Sequence, residues 1–225
     1  MLTSMKTTAI LPVKRLGAAH ARLDGAFEPA VRSRLAETMF LDTLQKLRRA
    51  KTIGEVLVVT ADDAIARHAS WMGHQVLRQE RDAGHSEAAA AGARAAAGRG
   101  FDRVAMLPID CPLLDIAELD AHLGRSARSA LIVPDAAGTG TNALVLSPPD
   151  AFSAAFGPDS CARHVARARA AGVRFSLERI DSLALDLDTP SDLNALRDAL
   201  LLDPSPAPRT AKVLWELGAG THAAA

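Results

Sequence analysis

Cysteine is scarce in this chain. Cys111 and Cys161 are the only two in 225 residues; they have no zinc-type spacing and no disulfide framework around them, so a reducing, cytoplasmic compartment is expected. Net charge is missing as well. The 26 Lys and Arg balance 26 Asp and Glu, which excludes the broad basic field that drives nucleic-acid binding and leaves charge to act locally. Although 48% of residues are apolar, no uninterrupted apolar run reaches the roughly 20 residues of a membrane-spanning helix. The N-terminal stretch carries no signal-peptide pattern. Internal repeats are lacking, and so are the Gly-rich P-loop spacing and the dinucleotide fingerprint GxGxxG.

What the chain does have is an alternation of short apolar runs with helical periodicities. Strands are expected at Thr7–Val13, Glu55–Thr60, 75–77, 104–109, Ala130–Pro134, Thr141–Leu146 and 173–177. Helices are expected from Pro29 to Ala50, over 62–72, up to Gly98, over 115–124 and 161–171, and from the capping-box-like Thr189-Pro190-Ser191-Asp192 onward. The leading βαβαβ order calls for right-handed parallel crossovers. The fold expected is a single-domain α/β fold with a mostly parallel, doubly wound sheet over residues 1–202. Residues 203–225, rich in Pro, Ala and Gly, read as a flexible tail whose apolar patch Val213-Leu214-Trp215 either frays or docks through Trp215.

Chemistry-bearing residues fall at the ends of these strands. Asp110 directly follows the 104–109 run and precedes Cys111-Pro112; it either caps the next helix or, at the ligand-binding edge of an open sheet, holds a hard cation. Lys14 to Leu23 is a basic loop suited to phosphate or simply to solvent. Gly84, His85 and Ser86 open the Ala-rich helix, with Ser86 or Asp82 as its cap. Its N-terminus can bind an anion or a nucleobase edge, and His85 is otherwise a surface turn residue.

The small-residue loop Gly138 to Gly140 leads into Thr141 and Asn142, candidate ligand contacts. Ser160, after Gly157, opens a second such helix, backed by Arg163 and His164, with an ordinary N-cap as the alternative. The strict alternation of residues 183–188 puts Asp186 and Asp188 on one face, where a bound cation most economically relieves their repulsion. Together these signals point to phosphate chemistry with magnesium.

The phrases ILPVKRL followed by Arg22-Leu23, Asp110 with Pro112-Leu113-Leu114, GTNALVLSPP, FGPDSCARH and LDLDTPSDL resemble the guanylyltransferases of deazaflavin coenzyme F-420 biosynthesis. That family acts on 2-phospho-L-lactate or phosphoenolpyruvate, and the resemblance covers most of residues 7–202. It implies a nucleotide-diphospho-sugar transferase-like, Rossmann-like fold. It further implies attack of a phosphorylated three-carbon acid on the α-phosphorus of GTP, with magnesium as cofactor. By the same resemblance Pro12, Val13, Lys14, Arg22, Gly84, His85 and Ser86 hold the nucleotide, and Lys14, Arg22 and Asp110 are the catalytic set. Asp110, Asp186 and Asp188 hold the metal, and Thr141, Asn142, Gly157 and Ser160 receive the acid.

The implied partners are small molecules, with a downstream phospholactate-type transferase taking over a labile product; a homodimer is left open. Two segments depart from the family pattern: His20 stands where Lys is common, and Gly84-His85-Ser86-Glu87 replaces a Gly-Leu-Asn motif. Two other readings remain: a nucleotidyltransferase of the same fold with a sugar phosphate, polyol phosphate or molybdenum cofactor as acceptor, and a nucleotide-binding protein without catalysis.

Overall fold

In a computed structural model that describes residues 5–18, 27–125 and 129–222, strand β1 (Thr7–Val13) is buried along its whole length. Its side chains divide by the period-two rule. Ala9, Leu11 and Val13 enter one apolar cluster and Ile10 the other. Strands β2 (Glu55–Thr60) and β4 (Arg103–Met106) flank β1 in parallel, and β3 (Gln75–Arg78) extends the sheet beyond β2. With β5 (Ala130–Pro134), β6 (Thr141–Leu146) and β7 (Phe175–Leu177), the order is β3-β2-β1-β4-β6-β5-β7. Among the described residues, only β6 runs against its neighbours. This reversal matters for function, because it brings the first residues of β6 to the edge where β1 and β4 end.

Helices α1 (Pro29–Leu47), α2 (Asp63–Trp71) and α4 (Ile116–Arg125) cover one face of the sheet; α3 (His85–Gly98) and α5 (Ser160–Ala170) cover the other. Pro29 sits in the first turn of α1, where its missing N–H costs nothing. The Asp62 carboxylate caps α2 by accepting from the N–H groups of Ala64 and Ile65 at 2.8 and 3.1 Å. Gly92 sets the height of α3, since a Cβ there would come within 2.6 Å of the Ile10 side chain on β1. Helix α6 (Pro190–Leu202) begins with the capping box of Thr189 and Asp192 that its sequence pattern announces.

Several expectations are corrected. Strand β4 ends at Met106 rather than at 109, because Pro108 has no N–H to donate; Leu107 makes the last bond, to the Ile10 carbonyl at 3.0 Å. Residues 184–188 join no strand. A 3-10 turn (Asp181–Leu183) precedes them, and Leu187 N–H bonds the Asp110 carbonyl at 2.9 Å instead of a sheet neighbour. Asp110 does not cap α4; Asp115 does, accepting from Ala117 N–H at 2.7 Å.

The segment expected to be a flexible tail forms helix α7 (Pro208–His222), packed on α1 and α6. Its Val213 and Leu214 are buried with Leu35 and Met39, whereas Trp215 is 68% exposed and does not dock on the body. Asp42 of α1 serves as the cap of α7. Its buried carboxylate accepts from the Thr210 N–H and hydroxyl, both at 2.9 Å, and from Arg209 Nη1 at 3.2 Å. Asp42→Ala leaves those donors unpaired and should cost about 2–4 kcal/mol, read as a lower thermal midpoint with the Michaelis constants little changed. No described helix is long and apolar enough to cross a membrane.

Candidate active site

Lys14 follows β1, Gly84 and His85 follow β3, Asp110 follows β4, and Thr141 and Asn142 begin β6. All lie at one edge of the sheet, the edge where open α/β sheets take their ligands. The sequence pattern puts them there because Lys14, Gly84, His85 and Asp110 come after parallel strands, whereas Thr141 and Asn142 open the strand that runs the other way.

A cleft at this edge is lined by Pro12, Val13, Lys14, Gln79, Asp82, Ala83, Gly84, His85 and Ala88. Five of the residues expected to hold nucleotide, Pro12, Val13, Lys14, Gly84 and His85, are therefore neighbours. Helix α3 has Gly84 as its N-cap and no side-chain cap, which corrects the role expected of Ser86 or Asp82. Its first-turn amides, with the positive end of the helix dipole, border the cleft. The Asp82 carboxylate instead accepts from Arg15 N–H at 3.2 Å, tying the two loops that form the walls. Ser86 does not line the cleft; its hydroxyl donates to the Phe156 carbonyl at 3.3 Å. Burial, and then the charge of Lys14, push His85 down to about 4. At neutral pH it therefore adds no charge. Arg22 and His20 lie outside the described residues.

Beside the cleft is an acidic centre. Burial first, then Asp186 and Asp188, push the Asp110 carboxyl up to about 7, with Lys14 acting the other way. Asp186 is raised too, by burial and by Asp188, although a hydrogen bond from Asn142 opposes the shift. Among the described residues no group of three His, Cys, Asp or Glu side chains is gathered into a ready metal site, so the three aspartates share one field without forming a closed ligand set.

The loop carrying Asp110 is held from below and from the side. Lys46 on α1 donates to the Pro112 carbonyl at 2.7 Å, its ammonium pushed down to about 8 by burial. Asn142 Nδ2 donates to the Leu183 carbonyl at 2.7 Å and to Asp186 Oδ1 at 3.4 Å. At 9% exposure Asn142 thereby braces the acidic segment.

The start of α5 forms the remaining wall. Asp159 adopts a left-handed conformation with φ 53°, and Ser160 N–H bonds the Gly157 carbonyl at 3.1 Å. Ser160 is 1% exposed, so the accessible part of this turn is the backbone at Gly157 to Asp159, together with half-buried Thr141. Cys161 N–H bonds the Thr139 carbonyl at 3.1 Å, sewing the small-residue loop to α5. Arg163 braces the turn through the Ala155 and Phe156 carbonyls at 2.9 and 3.1 Å.

Gly157 has φ 104°, and a Cβ there meets nothing closer than Arg163 Nη2 at 3.7 Å. Gly157→Ala should therefore act through backbone strain of about 1–2 kcal/mol, raising the KM of whatever ligand this turn holds several-fold. Phe156 escaped assignment from sequence, where His164 figures only as backing for the N-terminus of α5. The Phe156 ring stands edge-on between His85 at 4.7 Å and His164 at 5.2 Å, joining the two walls.

A cleft bordered by a helix N-terminus and set beside neighbouring carboxylates, on this sheet order, is the architecture of a nucleotidyltransferase. A nucleotidyl transferase from Methanothermobacter thermautotrophicus shares the fold, with a TM-score of 0.68 over 87% of this chain and 98% of that one at 20% identity. At the level of sequence, the model of the family "Guanylyl transferase CofC like" matches residues 7–198, and the chain belongs to that family. It is 45% identical over 199 residues to a phosphoenolpyruvate guanylyltransferase of Conexibacter woesei, covering 87% of this chain and 89% of the relative. It is 33% identical over 192 residues to a 2-phospho-L-lactate guanylyltransferase of Methanothermobacter thermautotrophicus, covering 85% and 84%.

Proposed function

We propose that this protein transfers the guanylyl group of GTP to the phosphate of a phosphorylated three-carbon acid and releases pyrophosphate, as a step of deazaflavin coenzyme F-420 biosynthesis in the cytoplasm. The observation that carries the proposal is the position of Lys14, which directly follows β1 and lines the cleft together with Gly84 and His85 at the start of α3. A triphosphate laid in the cleft would then run from the α3 amides past Lys14 toward Asp110. Phosphoenolpyruvate is the acid favoured, since the 45% identical relative bears that name; 2-phospho-L-lactate and 3-phosphoglycerate are the alternatives.

In this reading Lys14, together with Arg22, holds the triphosphate, and the amides at Gly84 and His85 meet the nucleotide with no added charge from the imidazole. Thr141 and the Gly157 turn receive the acid. The nucleophile needs no dedicated base: a phosphate monoester, with a second pKa of about 6, is already largely ionised near neutral pH. Catalysis then consists of positioning and charge neutralisation. The acidic centre fits magnesium, because Asp110, Asp186 and Asp188 are oxygen donors, and burial first, then the neighbouring Asp186 and Asp188, push Asp110 up to about 7. Bound there, magnesium supplies charge neutralisation for the phosphate oxygens around the reacting phosphorus. The guanylylated acid is labile, and a downstream phospholactate-type transferase is the partner that consumes it.

The test is pyrophosphate release with magnesium, GTP or ATP, and each of the three acids. Release with GTP and one acid supports the proposal. Release only with a sugar or polyol phosphate, or nucleotide binding without release from any pair, overturns it.

A further inference from the structure

His164 is completely buried, at 0% exposure, beneath the turn that opens α5. The backbone N–H of Ala155 donates to its Nε2 at 2.8 Å. Only an unprotonated ring nitrogen can accept an N–H, so a neutral ring must carry its proton on Nδ1. That nitrogen lies 3.0 Å from Thr141 Oγ1. The ring therefore donates to the hydroxyl. A hydroxyl has one proton and two lone pairs; with one lone pair filled by His164, the proton of Thr141 is left to be donated elsewhere. Thr141 is half-buried and begins β6 at the ligand edge of the sheet, so it has access to a ligand there.

We infer that His164 is a positioning residue that commits the Thr141 hydroxyl to donating a hydrogen bond to an anionic oxygen of the acid substrate. The inference rests on the proposed function for the identity of that acid and on geometry for the direction of the bond. Neutrality of the ring is enforced from every side. Burial, then Arg167 and Arg163, push His164 down to about 4, and the rings of Phe156 and Phe152 stand against it with centroids at 5.2 and 6.4 Å. A fixed neutral donor of this kind gives direction, where an imidazolium would attract any anion without selecting its orientation. It favours an acceptor-only oxygen, carboxylate or phosphate, and disfavours an analogue that presents a donor at the same place.

Two measurements test this. The first is the nitrogen-15 spectrum of the histidine rings in the intact protein at pH 7, with the His164 signal assigned by its loss in His164→Asn. A neutral ring protonated at Nδ1 and accepting at Nε2 is expected; the opposite tautomer or an imidazolium overturns the inference. This readout needs no turnover, whereas failure of the proposed function would appear as no pyrophosphate release by the wild type.

The second is steady-state kinetics with magnesium, GTP and phosphoenolpyruvate. His164→Leu should raise the KM of the acid about ten-fold while the KM of GTP stays within about two-fold. His164→Asn, which retains a donor near the Nδ1 position, should recover most of that loss. The double variant His164→Leu with Thr141→Val should be no worse than Thr141→Val alone, because the two residues act as one unit. Equal rises in both Michaelis constants, an Asn variant as impaired as Leu, or additive losses in the double variant would overturn the assignment.

Discussion

Asp110→Asn is expected to lower kcat/KM by about a thousand-fold or more, since it removes a negative charge and one carboxylate oxygen from the acidic centre while keeping its shape. The same substitution should stabilise the metal-free protein above neutral pH. The folded carboxyl titrates at about 7, against 3.8 for an unperturbed aspartate. Between those values the native state binds more protons than the unfolded chain, so stability falls as pH rises through 7 and is fully retained only below about pH 4. Asn carries no charge to repel Asp186 and Asp188.

The variant should therefore melt several degrees above the wild type at pH 8, on a scale of about 2–4 °C per kcal/mol for a domain of this size. That advantage should vanish near pH 4, and added magnesium should stabilise the wild type alone. A variant that melts below the wild type at pH 8 without metal would mean that the carboxylate is already compensated inside the protein. Activity lost together with stability would then have a structural cause.

Lys14→Met carries the second-largest effect. Removing one fixed cation from a developing phosphate charge typically costs about 10²–10³ in rate, and here the loss should fall on kcat/KM for GTP, with the fold intact because Lys14 is exposed. The variant has a second signature. His85 is held down in part by Lys14, and Asp110 is partly relieved by it. Without the ammonium, His85 should titrate above its present value of about 4, and Asp110 above about 7. Ring and carboxyl titrations followed by NMR would show both moving upward together. If neither moves, Lys14 does not bridge the cleft and the acidic centre, and the path proposed for the triphosphate is lost.

The parts of this site legible in sequence are those whose signal is local. Asp110 announces itself because an apolar run stops at it and a proline follows, and the capping box of α6 is written in four consecutive residues. The cleft is legible for the same reason: Lys14 sits where β1 gives way to a loop, and Gly84 and His85 where the loop after β3 gives way to α3. What stayed hidden depends on partners remote along the chain. The cap of α7 comes from Asp42, 168 residues before Thr210, so a sequence reader sees only a proline-rich linker and a short apolar patch. Asn142 reads only as a candidate ligand contact after a small-residue loop; that its amide is held by the Leu183 carbonyl, 41 residues on, is invisible in sequence. His164 reads as one more basic residue on α5. Its tautomer, and with it the polarity of Thr141, follows only once Ala155 and Thr141 are seen on its two nitrogens.

The central claim is that the phosphate of the acid attacks the α-phosphorus of GTP. Its most direct test is product analysis by mass spectrometry and phosphorus NMR, with phosphoenolpyruvate carrying oxygen-18 in the terminal oxygens of its phosphate. The account predicts guanosine joined to the acid through a diphosphate that retains the label, and unlabelled pyrophosphate in equal amount. GDP in place of pyrophosphate would put the attack at the γ-phosphorus, and GMP with the acid returned unchanged would make water the nucleophile; either result would contradict it.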